Sequence, residues 1–286
     1  MPEALTLVDP ATLDGWTSDD LSEGLSAAGI AATGDPAAFL ATTYDFDAIP
    51  THFTGYYEPE LRGSPVRTDD FPVPIHAPPP GGTGATRAEI EEKDLLADYE
   101  IAWLADEVDR FFLQVQGSGR IIYPDGQVLR VSYAAKNGHP YISVGRILIE
   151  SGEFNERRIT ADAVKSWLRA DPVRGREMMR RNPSYVMFRA LHGAEARQGP
   201  PGALGLPVTA GRSLAVDPEL VPLGSLVWVE VDGPEGPIRR LCVAQDTGSA
   251  IRGARADLFY GTGEEAGRAA GALNHAGRMI VLRPRG

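Results

Sequence analysis

The last third of the chain breaks into short apolar runs at residues 184–188, 214–216, 225–231, 240–244 and 279–282, each too brief for a helix and each bounded by turn-forming residues. Many short strands of this kind close best as a barrel. A second strand-like region lies between Asp109 and Val131, where residues 111–116, 120–123 and 127–131 flank a Pro124-Asp125-Gly126 turn and predict a β-hairpin. The chain is therefore expected to be mainly β, with some helix.

Helical spacing is confined to a few segments. Leu21, Leu25 and Ala28 share a face after the capping-type Ser18-Asp19-Asp20, and a further turn starts at Pro36. Residues 143–150 and 160–168 repeat the pattern, with Ala161, Val164, Trp167 and Leu168 on one side. Residues 64–84 carry Pro65, Pro72, Pro74, Pro78-Pro79-Pro80 and Gly81-Gly82, a composition expected to resist regular structure and to mark a domain boundary. A second boundary is expected near Asp171-Pro172.

Of 286 residues, 43% are hydrophobic and 23% charged, and the net charge is −11. Those values fit a globular chain and argue against nucleic acid, which needs clustered cations to displace counterions. Cys242 stands alone, so neither an internal disulfide nor a thiolate cage can form, and its strand context predicts a buried apolar role. Residues 1–9 show neither a basic n-region nor an apolar h-region, and no run is long enough to span a bilayer, so membrane association has no support in the sequence.

Chemistry concentrates between Ala244 and Gly263, where Asp246 and Asp257 sit among glycines and aromatics. An aspartate flanked by Leu258, Phe259 and Tyr260 is expected partly out of water, which favours the protonated acid. Turn capping is the plainer role for both aspartates, and the residues alone leave the two open. Asp246-Thr247-Gly248-Ser249 also spells the aspartic-protease tetrad, but in one copy. Gly261-Thr262-Gly263 has too little chain behind it for a dinucleotide fold, and reads as a turn into a helix over residues 264–273. His52, His76, His139, His192 and His275 lack metal-ligand spacing, so no metal or cofactor is expected. Glu58 and Glu60 form a further carboxylate pair, beside an aromatic pair that suits sugar stacking.

Several longer motifs, in order, resemble the membrane-bound lytic transglycosylase A (MltA) family, which cleaves the glycan strands of peptidoglycan. They are Phe53-Thr54-Gly55-Tyr56-Tyr57-Glu58-Pro59, residues 111–119, residues 133–141, Asn182-Pro183-Ser184-Tyr185-Val186, residues 209–217, and the region from Asp246 to Gly263. The resemblance implies a double-psi β-barrel of the 3D type, its three aspartates falling at Asp217, Asp246 and Asp257. It also implies a smaller inserted β-barrel-like domain at residues 64–171, with residues 1–63 and 172–286 forming the catalytic domain and a groove between the two.

By the same resemblance Asp257 is the catalytic acid and Asp246 supports it. Glycan-binding residues would come from the matching motifs: Thr54, Gly55, Tyr56 and Tyr57 from the first, Gln114, Gln116, Gly117 and Ser118 from the second, and Lys136 and Asn137 from the third. Tyr185 would follow, then Thr209, Ala210, Gly211, Arg212, Ser213 and Asp217, and finally Tyr260. Peptidoglycan as partner implies the periplasm or cell envelope, although no export signal is visible in residues 1–9. A peptidase using Asp246-Thr247-Gly248-Ser249 and a non-catalytic glycan-binding protein are the alternatives.

Overall fold

The computed structural model describes residues 6–31, 34–155 and 159–285. Residues 1–5, part of the segment read for an export signal, lie outside them. In chain order the first elements are α1 (Leu21–Ala27), α2 (Pro36–Thr43), β1 (Tyr44–Glu58), β2 (Glu60–Ser64), β3 (Val73–His76), α3 (Arg87–Lys93) and β4 (Glu100–Leu104). There follow α4 (Glu107–Gln116), β5 (Ser118–Ile122), β6 (Val128–Lys136), α5 (Val144–Glu150), α6 (Ala161–Ala170), α7 (Pro172–Arg180), β7 (Val186–Leu191) and α8 (Gly193–Gln198). The last are β8 (Ser213–Val216), β9 (Leu226–Gly233), β10 (Gly236–Asp246), β11 (Arg255–Thr262), α9 (Gly263–Ala272) and β12 (Asn274–Pro284). No helix among the described residues is long and apolar enough to cross a membrane. Two compact units result, Met1–Tyr57 with Pro201–Gly286, and Glu58–Pro200.

The first unit is a closed barrel in the order β1-β11-β8-β10-β9-β12. An antiparallel ladder from Tyr44↔Pro284 to Thr54↔Asn274 closes it. Strand alternation sends Val227, Val229, Val231, Cys242, Ala244, Met279 and Val281 inward. Leu226, Trp228, Leu241, Ile280 and Leu282 face the other way, where Leu21, Leu25 and Leu40 from α1 and α2, together with Trp16, cover them. Burial on both faces explains why Leu226-Val227-Trp228-Val229 reads as one continuous apolar run. The Cys242 thiol is fully buried and its pKa is pushed up to about 12 by that burial, so it packs as a small apolar group.

Helix α1 reaches the barrel through Gly24, where a Cβ would lie 2.7 Å from the Leu241 carbonyl oxygen and 2.8 Å from the Leu241 Cβ. Gly24→Ala is therefore expected to push α1 off β10 and cost about 1–3 kcal/mol, the usual range for overpacking, measured by denaturant unfolding.

The second unit carries a six-stranded sheet in the order β3-β4-β2-β5-β6-β7, with β2 and β5 parallel and the other neighbours antiparallel. Ile75, Leu104, Leu113, Ile121, Val131 and Phe188 fill one core. The expected hairpin is present as β5 and β6, its turn closed by Gly126 N–H to the Tyr123 carbonyl (2.9 Å) and by Gln127 N–H to Asp125 (2.9 Å).

Three sequence expectations change here. Residues 111–116 belong to helix α4, not a strand: Asp106 caps its start by accepting from Asp109 N–H, and Gly117 (φ 81°) ends it. Leu113 packs into the sheet core while Val108 and Phe111 pack with residues of α5, α6 and α7, so one helix needs apolar residues on two sides and its spacing imitates a strand. Residues 64–84 do hold regular structure, namely β3, which accepts Pro74 because it ends the strand order and leaves one edge without a ladder partner. The unit boundaries fall at Tyr57/Glu58 and Pro200/Pro201, not at residues 63/64 and 171/172. Strand β2 lies inside the second sheet between β4 and β5, and β7 pairs with β6 from Arg130↔Leu191 to Lys136↔Val186, which draws both flanks into that unit.

Candidate active site

Two register relations bring the aspartates together. Asp257 of β11 lies opposite Ala215 of β8, and Asp246 of β10 lies opposite the same Ala215 from the other side. A spacing of about 4.8 Å between neighbouring strands puts the two Cα atoms about 10 Å apart, across β8. A register shift between Ala244 and Asp246 makes this match possible. The two carboxyls of an aspartic protease share one proton in direct contact, whereas here a strand stands between their backbones.

Ala256 and Leu258 belong to the barrel core, so alternation turns Asp257 and Phe259 to the opposite face of β11. The cover over Asp257 is thus not Leu258 or Tyr260, as its sequence neighbours suggested, since both pack toward the barrel interior. The Tyr56 ring lies 5.1 Å from that of Phe259, tilted by 46°, and the buried Tyr56 hydroxyl is held well above its usual pKa, first by burial and then by the charge of Asp246.

Only 17% of the Asp257 side chain is exposed, and its Oδ1 is buried without a hydrogen-bond partner. Burial is the main cause that raises its pKa to about 6; Arg255 opposes that rise, Asp246 reinforces it, and His52 opposes it. Asp246 is also raised by burial, though Thr247 N–H (2.8 Å) and Ala203 N–H (2.9 Å) both donate to its Oδ1 and pull the other way. One carboxyl is thus fixed by backbone donors, while Oδ1 of its neighbour has no hydrogen-bond partner among the described residues.

Several residues expected at the glycan have hydrogen-bond partners within the scaffold. Arg212 is buried and donates to Asp19 (2.8 Å), Glu23 (2.7 Å) and the Leu241 carbonyl (3.0 Å), which ties α1 to the barrel. Ser213 is buried between Thr209 N–H and the Gln245 side chain. Asp217 accepts from Gly253 N–H (2.7 Å) and Glu219 N–H (3.2 Å); these two bonds, Gly253's first, lower its pKa and clamp the loop before β11. Gly211 (φ 70°) donates to the Phe259 carbonyl (2.7 Å), which fixes the Thr209-Ala210-Gly211 turn against β11. Gly55 is glycine because a Cβ would lie 2.7 Å from the Ala270 Cα, so the backbone that approaches it is α9.

In the second unit Asn137 is buried and bonds the Ala85 and Pro183 carbonyls and Tyr185 N–H. Tyr185 is buried with its hydroxyl 2.9 Å from His76 Nδ1, and Gln114 donates to the Val186 carbonyl at 2.9 Å. Gly117 and Ser118 form the end of α4 and the start of β5. Glu58 is buried on Arg130 (2.8 Å), and Glu60 pairs with Arg120 (2.5 Å), so that carboxylate pair is engaged in structure. Thr54, Tyr57, Tyr260 and Gln116 are half-buried, and Lys136 is exposed. The sequence reading passed over Arg255, which the period of two along β11 puts on the face of Asp257.

A closed six-stranded barrel that shelters an acid of raised pKa, interrupted between β1 and β8 by a second sheet-bearing unit, is a defined class of protein. The MltA specific insert domain is matched at residues 82–189, and the 3D domain at residues 212–283. Over 241 residues the chain is 37% identical to membrane-bound lytic murein transglycosylase A of Escherichia coli K12, a match covering 81% of this chain and 65% of that protein. The chain thus spans just under two thirds of that relative. A crystal structure of the membrane-bound lytic murein transglycosylase from Agrobacterium tumefaciens superposes with TM-score 0.86 at 30% identity, covering 98% of this chain and 97% of that one. For E. coli MltA with bound chitohexaose the TM-score is 0.80 at 31% identity, with 95% and 87% covered. The chain belongs to the MltA family of lytic murein transglycosylases.

Proposed function

We propose that this protein is a peptidoglycan lytic transglycosylase, cutting the β-1,4 bond between N-acetylmuramic acid and N-acetylglucosamine with Asp257 as its single acid. The observation that carries this reading is the buried Asp257 side chain, whose Oδ1 has no hydrogen-bond partner among the described residues and whose pKa is raised to about 6. An ordinary aspartate is about one part in a thousand protonated at pH 7, whereas one titrating near 6 is about one part in ten. Asp257 gives its proton to the bridging oxygen, the C1–O bond breaks, and N-acetylglucosamine leaves with a free 4-hydroxyl. The muramoyl 6-hydroxyl then bonds to C1 and returns its proton to the Asp257 carboxylate, so no water is consumed and the acid is regenerated. An aligned internal hydroxyl acts at an effective molarity of about 10⁵–10⁸ M, which lets it exclude water from the reaction.

Asp246 serves as the fixed neighbouring charge that helps to keep Asp257 protonated. In the barrel unit Thr54, Tyr57 and Tyr260 are partly exposed candidates for glycan contact. Such a substrate assigns the protein to the cell envelope.

Mass spectrometry of digested sacculi is expected to find 1,6-anhydromuramoyl ends, lighter by one water than hydrolytic ends. Reducing muramic ends, or cut peptides, would exclude the reading. Because the acid form is the active one, kcat is expected to fall about tenfold per pH unit above about pH 6. A rate that stays level to pH 8 would remove Asp257 from the role of acid.

A further inference from the structure

We propose that Arg255 is a positioning residue for the proton transfer, its guanidinium moored on Thr54 so that it stands beside Asp257 without closing on it. The consequence for turnover rests on the transglycosylase reading above; the geometry is independent of it. Arg255 and Asp257 are two apart on β11 and so share a face. Arg255 Nη2 donates to Thr54 Oγ1 at 3.1 Å, while its Nε lies 3.9 Å from Asp257 Oδ1. Both of those facing atoms are buried, and neither has a hydrogen-bond partner.

That distance separates two chemical outcomes. A charge-assisted bond at about 2.8 Å would hold Asp257 ionised and leave no acid to donate. At 3.9 Å the carboxyl can still take a proton. Once the proton has moved to the leaving sugar oxygen, the new carboxylate charge attracts the guanidinium, and a shift of about 1 Å makes the bond. Stabilisation is then delivered as charge develops, and not before. Arg255 is the stronger of the two cations that act on Asp257: Asp246 of β10 carries the wrong charge, Tyr56 of β1 interacts first with Asp246, and His52 of β1, the weaker cation, has its Nε2 2.6 Å from Asn274 Oδ1.

Two substitutions should move the Asp257 titration in opposite directions. Arg255→Gln removes the cation and is expected to raise the midpoint by about half a pH unit or more, a threefold change in protonated fraction. Thr54→Val removes the mooring, lets Arg255 close, and is expected to lower the midpoint by a similar amount. Arg255→Lys keeps the charge and should return the midpoint toward wild type. The measurement is the carbon-13 carboxyl resonance of Asp257 in the full chain without glycan, assigned by its loss in Asp257→Asn, alongside pH profiles of kcat. Opposed displacements, with the falling limb of kcat following each, support the proposal. Midpoints that coincide with wild type, or that move the same way in both variants, overturn it. If wild type makes no anhydromuramoyl ends, the functional reading fails while the carboxyl titrations still decide the role of Arg255.

Discussion

Asp257→Asn is expected to reduce kcat by at least about two to three orders of magnitude while leaving glycan affinity within about threefold. The amide has nearly the same shape, so β11 and the opposing Ala215 need not move. What disappears is the transferable proton, and with it both the push on the leaving oxygen and the base that accepts the hydroxyl proton. The same variant carries a second signature. A folded carboxyl titrating near 6 binds its proton more tightly than the unfolded one at 3.8, so wild-type stability declines as pH rises through that interval. The neutral amide escapes this decline. Asp257→Asn is therefore expected to be more stable than wild type by about 3 kcal/mol above pH 7, and equal to it below about pH 4. Denaturant unfolding at the two pH values checks it. A dead enzyme that is also less stable at pH 7 would signal a structural role for Asp257 in place of a catalytic one.

How much of this was legible in the sequence depended on whether each signal was local. Strands β9, β10 and β12 were plain because both of their faces are buried along their central residues, which leaves apolar runs of four residues or more. Strand β1 was invisible. It includes Pro50, Gly55 and two aspartates, and the buried Asp47 is tolerable because Arg283 of β12 meets one oxygen at 3.0 Å and Thr6 N–H donates to the other at 2.9 Å. No window around Asp47 contains that partner. Asp246 and Asp257 stood out together in one motif, but their convergence depends on Ala215, which lies well upstream. Arg212, Ser213, Asn137 and Tyr185 sat in motifs that carry the family resemblance, and motif membership does not distinguish a side chain that touches substrate from one that holds the wall. Hydrogen-bond partners make that distinction, and those partners are distant in sequence.

Arg212 provides the sharpest test of that distinction. Its guanidinium reaches Asp19 and Glu23 on the α1 side and the Leu241 carbonyl on β10, and it is 5% exposed. Burial works against the charge, but the two carboxylates more than compensate and hold its pKa above the usual value. Asp19 is similarly buried, and its Oδ2 also accepts Leu241 N–H at 2.9 Å, so truncating Arg212 strands an ionised carboxylate in the seam between helix and barrel. Breaking one side of a buried pair typically costs about 3–5 kcal/mol. The lower end applies here, because the Glu23 side chain is 56% exposed and can turn to water. Arg212→Ala is thus expected to destabilise the barrel unit by about 3 kcal/mol, lowering Tm by about 10 °C. At a temperature where the variant is folded, KM for glycan should stay within about threefold of wild type. Adding Asp19→Asn should recover part of the loss, since the orphaned charge is then gone. A variant with unchanged Tm and a KM raised more than about tenfold would return Arg212 to the glycan-binding surface and remove it from the scaffold.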